Sequence, residues 1–143
     1  MEGKEFIVVA QKLVQMRSEA AIRLAISRVY YATFITGREL LFELGFSLPI
    51  DASAHEQLYF RLHNAGIPVI KDIADWLKDL RKRRLQADYE MKNRDFHSHT
   101  ECELHIARAK IIVAQLESCY QQPLRRQFKT GIQEYERKIG FNS

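Results

Sequence analysis

Apolar residues recur every three to four positions along most of the chain, and no stretch alternates polar and apolar residues long enough to mark a strand. The pattern predicts an all-α protein, an antiparallel bundle of five to six helices. A first helix covers about Lys4 to Met16, with Phe6, Val9, Leu13 and Met16 at helical spacing. Ser18 caps a long second helix that Gly45 closes. Pro49 and the Asp51-Ala52-Ser53 turn lead into a short third helix from Ala54 to Ala65, stopped by Gly66 and Pro68. A fourth begins near Ile70 and runs to about Tyr89. Thr100 and Glu103 make a Thr-x-x-Glu capping box that starts a fifth helix, which ends before Pro123. Leu124, Phe128, Ile132, Tyr135 and Ile139, spaced four, four, three and four apart, predict a sixth, which Gly131 weakens. The expected organisation is a bundle over residues 1–122 and an amphipathic basic helix over residues 123–143, packed on the bundle or extending from it.

The second helix is the informative one. A 100° wheel places Ile22, Ala25, Ile26 and Val29 on one side and Leu24, Tyr31 and Phe34 nearly opposite. A helix that is apolar almost all round needs cover on both sides, so it is either central to a bundle or one face of a dimer. Ser27 and Arg28 interrupt its apolar run. Arg28 either snorkels at an edge or faces a partner or a phosphate.

Composition narrows the class. With 46% hydrophobic and 28% charged residues, the chain can build a core and is neither a disordered tail nor a collagen-like fibre. Its apolar runs, such as Ile111-Ile112-Val113-Ala114, fall far short of the ~20 residues that cross a bilayer, and no signal-peptide core follows Met1. A cytoplasmic protein is expected, with no membrane partner. Two cysteines, Cys102 and Cys119, form neither a disulfide framework nor a CxxC pair.

The formal charge of +4 is concentrated. Between Arg81 and Arg94, six basic residues face only Asp88 and Glu90; between Arg125 and Lys138, five face only Glu134 and Glu136. A polyanion such as RNA or a nucleotide would therefore meet one or two basic stripes. On the fourth helix Ile70, Ile73, Leu77 and Leu80 form an inward stripe, and the same spacing carries Arg84 and Asp88 onto it. Side chains four apart meet on a helix, so Asp88 is the expected partner of Arg84, with Arg108 of the fifth helix as a second candidate for that carboxylate. Such a held guanidinium is either a structural clasp or a preorganised phosphate binder. Arg81, Lys82 and Arg83 point elsewhere, onto a largely solvated face.

The string Ala21-Ile22-Arg23-Leu24-Ala25-Ile26-Ser27-Arg28-Val29-Tyr30-Tyr31-Ala32-Thr33-Phe34, with Leu40-Leu41, His55 and the later Arg84-Leu85-Gln86-Ala87-Asp88-Tyr89, resembles the HEPN superfamily. The likeness is to its small prokaryotic branch with S-R-x-Y-Y-A-x-F and R-x-x-A-D-Y strings, and it spans roughly Phe6 to Cys119. The resemblance implies a helical bundle, usually a homodimer, whose members include metal-independent ribonuclease toxins paired with a nucleotidyltransferase antitoxin. Active members carry an Arg followed after four to six residues by a His, a pair able to take the ribose 2′-hydroxyl proton and stabilise the pentavalent phosphate.

Here the matching position departs from that pattern, because Arg84 is followed by Asp88 and Tyr89 and no histidine. If the chain cleaves RNA, Arg84 is the expected phosphate binder, with Asp88 and Tyr89 as the remaining polar groups; a carboxylate held by Arg84 is a poor base. Arg28, Arg81, Arg83 and Arg94 are the expected RNA- or phosphate-binding residues. The literal spacing occurs once, at Arg94 and His99, in the connection before the fifth helix, which makes that pair an alternative catalytic candidate. His97, His99, Cys102 and His105 crowd the same connection, but H-x-H-x-x-C-x-x-H fits no common structural zinc module, so no metal or other cofactor is expected. There is no G-x-S-x-G elbow, Gly-rich phosphate loop or HExxH. The competing reading is a catalytically silent helical interaction module for a protein partner.

Overall fold

A computed structural model describes residues 2–140 and shows an all-α bundle of six helices: α1 (Gly3–Val14), α2 (Glu19–Glu43), α3 (Ser53–His63), α4 (Pro68–Tyr89), α5 (His99–Ser118) and α6 (Leu124–Lys138). None of the described helices is long and apolar enough to cross a membrane. The expected helices are all present, and their ends follow local chemistry. Ser18 accepts a hydrogen bond from the Ala21 N–H at 3.1 Å and starts α2. Gly45, at φ 92°, ends it, and the Phe46 N–H returns to the Leu41 carbonyl at 2.8 Å.

Two boundaries and one helix interior differ from the sequence expectation. Pro68 opens α4 instead of ending the preceding turn, because the first helical position has no use for the N–H that proline lacks. Ser98, not Thr100, caps α5, accepting from the Glu101 N–H at 3.0 Å, so the Thr100–Glu103 box is not the start signal. Gly131 lies inside an intact α6 because the helix crosses the Ala65 carbonyl there: a Cβ would sit 1.7 Å from that oxygen. Close approach, not helix weakness, accounts for the glycine.

α2 is the central helix, covered within one chain by α1, α4 and α5. Its contacts with α4 run in opposite order along the two helices: Arg23 reaches the Ala87 and Glu90 carbonyls at the C-terminal end of α4, and Tyr31, two turns later on α2, meets Arg84. The two are antiparallel, and this places the N-terminal half of α2 beside the C-terminal half of α4. α6 docks on α3 through a buried Arg61–Glu136 pair, Nε to Oε1 at 3.0 Å, and through buried Phe128 and Ile132.

Candidate functional site

Along α2, Glu19, Arg23, Ser27 and Tyr31 recur every four residues and so share one stripe, which Phe34 and Arg38 continue. This polar stripe on an otherwise apolar helix faces the last two turns of α4. The Arg23 guanidinium donates to the carbonyls of Ala87 (2.8 Å), Gln86 (3.4 Å), Glu90 (3.2 Å) and Asn93, while its Nε donates to Glu19 at 3.3 Å. Ala87 is among the last carbonyls of α4, which lack intrahelical donors, while Glu90 and Asn93 belong to the connection that follows, so Arg23 ties the helix end to that connection. Arg23 and Arg83 lie on the Phe96 ring at 4.3 and 3.9 Å. Arg83 also donates to Glu101 at 2.7 Å, to Gln86 at 3.0 Å and to the Asp95 carbonyl. Burial alone would raise the Glu101 carboxyl, but hydrogen bonds from Arg83 and His105 bring it below its usual value. Arg83, expected on a solvated face as a phosphate binder, is therefore spent on fastening the 90–98 connection.

Arg84 and Asp88 meet as their spacing requires, Nε to Oδ2 at 2.8 Å, and both are largely shielded from solvent. Ser27 Oγ donates to Asp88 at 3.3 Å, and Arg84 Nη2 donates to the Tyr31 hydroxyl at 2.6 Å. The guanidinium carbon of Arg84 stands 4.9 Å from the Tyr31 ring centre and 5.9 Å from that of Tyr89, which is itself 71% exposed.

Beyond Tyr31 lies a second layer. Tyr30 is fully buried, and its hydroxyl is 2.5 Å from His55 Nδ1. His55, near the start of α3, stacks on Phe34 with ring centres 4.2 Å apart. Burial pushes the Tyr30 hydroxyl above its ordinary value, against the pull of Arg81 and Arg84. Burial also lowers His55 to about 4, assisted by the charges of the same two arginines, so the imidazole is neutral near pH 7. A protonated phenol whose one hydrogen-bond partner is Nδ1 donates to it, which leaves the imidazole proton on Nε2. His55 therefore offers a neutral N–H donor. Arg81 has a buried Nε without an acceptor and no ion pair among the described residues.

The geometry thus gathers Arg81, Arg84, Asp88 and, at the rim, Tyr89. It leaves the other candidates apart. Arg28 leans toward α1, 6.0 Å from the Phe6 ring. Arg94 is 83% exposed and 4.0 Å from Glu19, while His99 pairs with Glu103 at 3.6 Å; no hydrogen bond or ion pair joins Arg94 to His99. Arg108 stands 5.3 Å from the Trp76 ring instead of reaching Asp88. His97 contacts the Arg94 carbonyl and His105 contacts Glu101, and no group of three metal-ligating side chains converges among the described residues. Burial pushes the Cys102 and Cys119 thiols up to about 11, far from a reactive thiolate.

Sequence reasoning passed over Arg23 and Arg38 and drew His55 only from the resemblance. The four-residue spacing of Glu19, Arg23, Ser27 and Tyr31 was the available signal for Arg23. No family model, curated protein or solved structure matches the chain.

Proposed function

We propose that the chain is a HEPN-like RNA-binding protein whose α2–α4 face receives the ribose-phosphate backbone. The observation that carries this reading is Arg81. Its guanidinium is not neutralised by a carboxylate, and together with Arg84 it sets two positive charges beside the Tyr30–His55 pair. A phosphate would supply the missing anion and accept from the neutral His55 donor. The S-R-x-Y-Y-A-x-F and R-x-x-A-D-Y strings support the family assignment. With it come a homodimer and a nucleotidyltransferase antitoxin as the proposed partners, and the cytoplasm as the proposed location.

The geometry supports binding better than cleavage. Asp88 is held by Arg84 and Ser27, Tyr89 is at the solvent edge, and the Nδ1 acceptor of His55 is taken by Tyr30. Among the described residues, none of the groups that α4 and His55 present on this face is left free as a proton acceptor for a 2′-hydroxyl. A metal-independent ribonuclease toxin is the narrower form of the proposal, with Arg84 as the phosphate binder.

A metal-free gel-shift and cleavage assay on single-stranded RNA tests both forms. The wild type is expected to shift the RNA and Arg81→Ala to lose most of that affinity, about fivefold or more for one lost charged contact. Failure of the wild type to bind sinks the proposal; cleavage abolished by Arg84→Lys would establish the narrower form. A silent protein-interaction module is the second reading, favoured by the Ser27–Asp88–Arg84–Tyr31 clasp, and it predicts no RNA affinity at all.

A further inference from the structure

A groove of about 470 Å³ runs between the C-terminal half of α2 and the 48–55 segment. That size suits a small planar ligand. Phe34, Arg38, Phe42, Leu48, Ile50 and His55 line it, so His55 is shared between this groove and the Arg81–Arg84 face. The Phe34 and His55 rings are stacked within 27° of parallel. The Arg38 guanidinium lies 5.6 Å from the Phe34 ring centre and has no carboxylate partner among the described residues. Phe42 is half exposed and Ile50 fully so, which leaves two large apolar side chains uncovered by the chain's own packing.

Two carboxylates also border the groove. Asp51 is engaged by Ser53, whose backbone N–H donates to it at 2.9 Å and whose hydroxyl donates as well. Glu39 has no hydrogen bond or ion pair among the described residues and is free to accept from the N–H edge of a base.

We infer that this groove is a subsite for one unpaired nucleotide of single-stranded RNA, with its base against Phe42 and Ile50 and its phosphate on Arg38 and Arg81. The inference rests on the RNA-binding reading above and adds to it a requirement for an unstacked base. Flat apolar surface beside unneutralised guanidinium matches the two faces of a nucleotide, one planar and one anionic. A duplex cannot use such a subsite, because its base faces are already stacked on one another.

Fluorescence anisotropy with a labelled single strand, a strand of the same length carrying abasic sites, and a duplex tests this on the full chain. Phe42→Ala with Ile50→Ser is expected to weaken single-strand binding about tenfold, the effect of one lost base stack, and to leave duplex binding unchanged. The abasic strand is expected to bind the wild type no better than the intact strand binds the variant. Both side chains are exposed, so an unchanged thermal melt confirms that the variant is folded. Equal single-strand affinity of wild type and variant, or an equal loss on duplex, overturns the groove while the phosphate-binding reading stands. No binding of any RNA by the wild type overturns both.

Discussion

A buried phenol must give its proton to an acceptor, and for Tyr30 that acceptor is His55 Nδ1. Protonation of His55 would remove the acceptor and set a positive charge beside Arg81 and Arg84. Burial of the ring, with the charges of Arg81 and Arg84 beside it, lowers the imidazole to about 4 in the folded protein from its ordinary 6.5 once unfolded. Between those values the unfolded chain binds more protons, so stability is complete above pH 6.5 and falls as pH drops toward 4. Only half-burial of the ring lets solvent screen the effect, which leaves about 1 to 2 kcal/mol. Urea midpoints measured from pH 7 to pH 4 are expected to fall more steeply for the wild type than for His55→Gln. Parallel curves would show that His55 is not held neutral. Residue roles of this kind were only partly legible in sequence. The four-residue spacing gives the Arg84–Asp88 pair, because both partners ride one helix; the Tyr30–His55 contact joins α2 to α3, and no spacing along the chain encodes it.

Helices themselves were legible because each buries a stripe with a 3.6-residue period, whereas helix contacts depend on partners far apart in sequence. α6 is the clearest case. Its stripe of Phe128 and Ile132 is readable from spacing alone, but the residue that fixes where it docks is Glu136, buried at 2% exposure against Arg61. The four-residue spacing carries Glu136 onto that stripe, but its partner Arg61 lies on α3, 75 residues away, and only the docked helix brings the two together. Replacing Glu136 takes a carboxylate away from a buried guanidinium, a change that costs about 3 to 5 kcal/mol. Glu136→Leu is therefore expected to lower global stability by that amount in urea unfolding. A loss under 1 kcal/mol would mean that α6 frays from α3 and that the pair does not hold it.

For the whole molecule, the question is how much of its positive charge a polyanion can reach. In the first basic segment Arg83 is tied to Glu101, and Arg84 to Asp88. In the second, Arg125 donates to the Tyr120 carbonyl and stands 3.8 Å from Glu43. Surplus charge counted along the sequence therefore overstates the charge available to RNA. The guanidinium groups left without a carboxylate among the described residues near His55 are those of Arg38, which lines the groove with it, and Arg81, whose charge acts on it; they correspond to a footprint of about two phosphates. Each phosphate neutralised on a single strand contributes about −0.7 to the slope of log affinity against log salt, so the expected slope is about −1.4. A salt series with a labelled single strand measures it. Engagement of both basic segments along their length would drive the slope past about −6 and would place the α6 stripe in the interface as well. Arg126→Ala with Lys129→Ala separates the two cases: both positions are exposed on α6, and a confined footprint leaves slope and affinity unchanged in that variant.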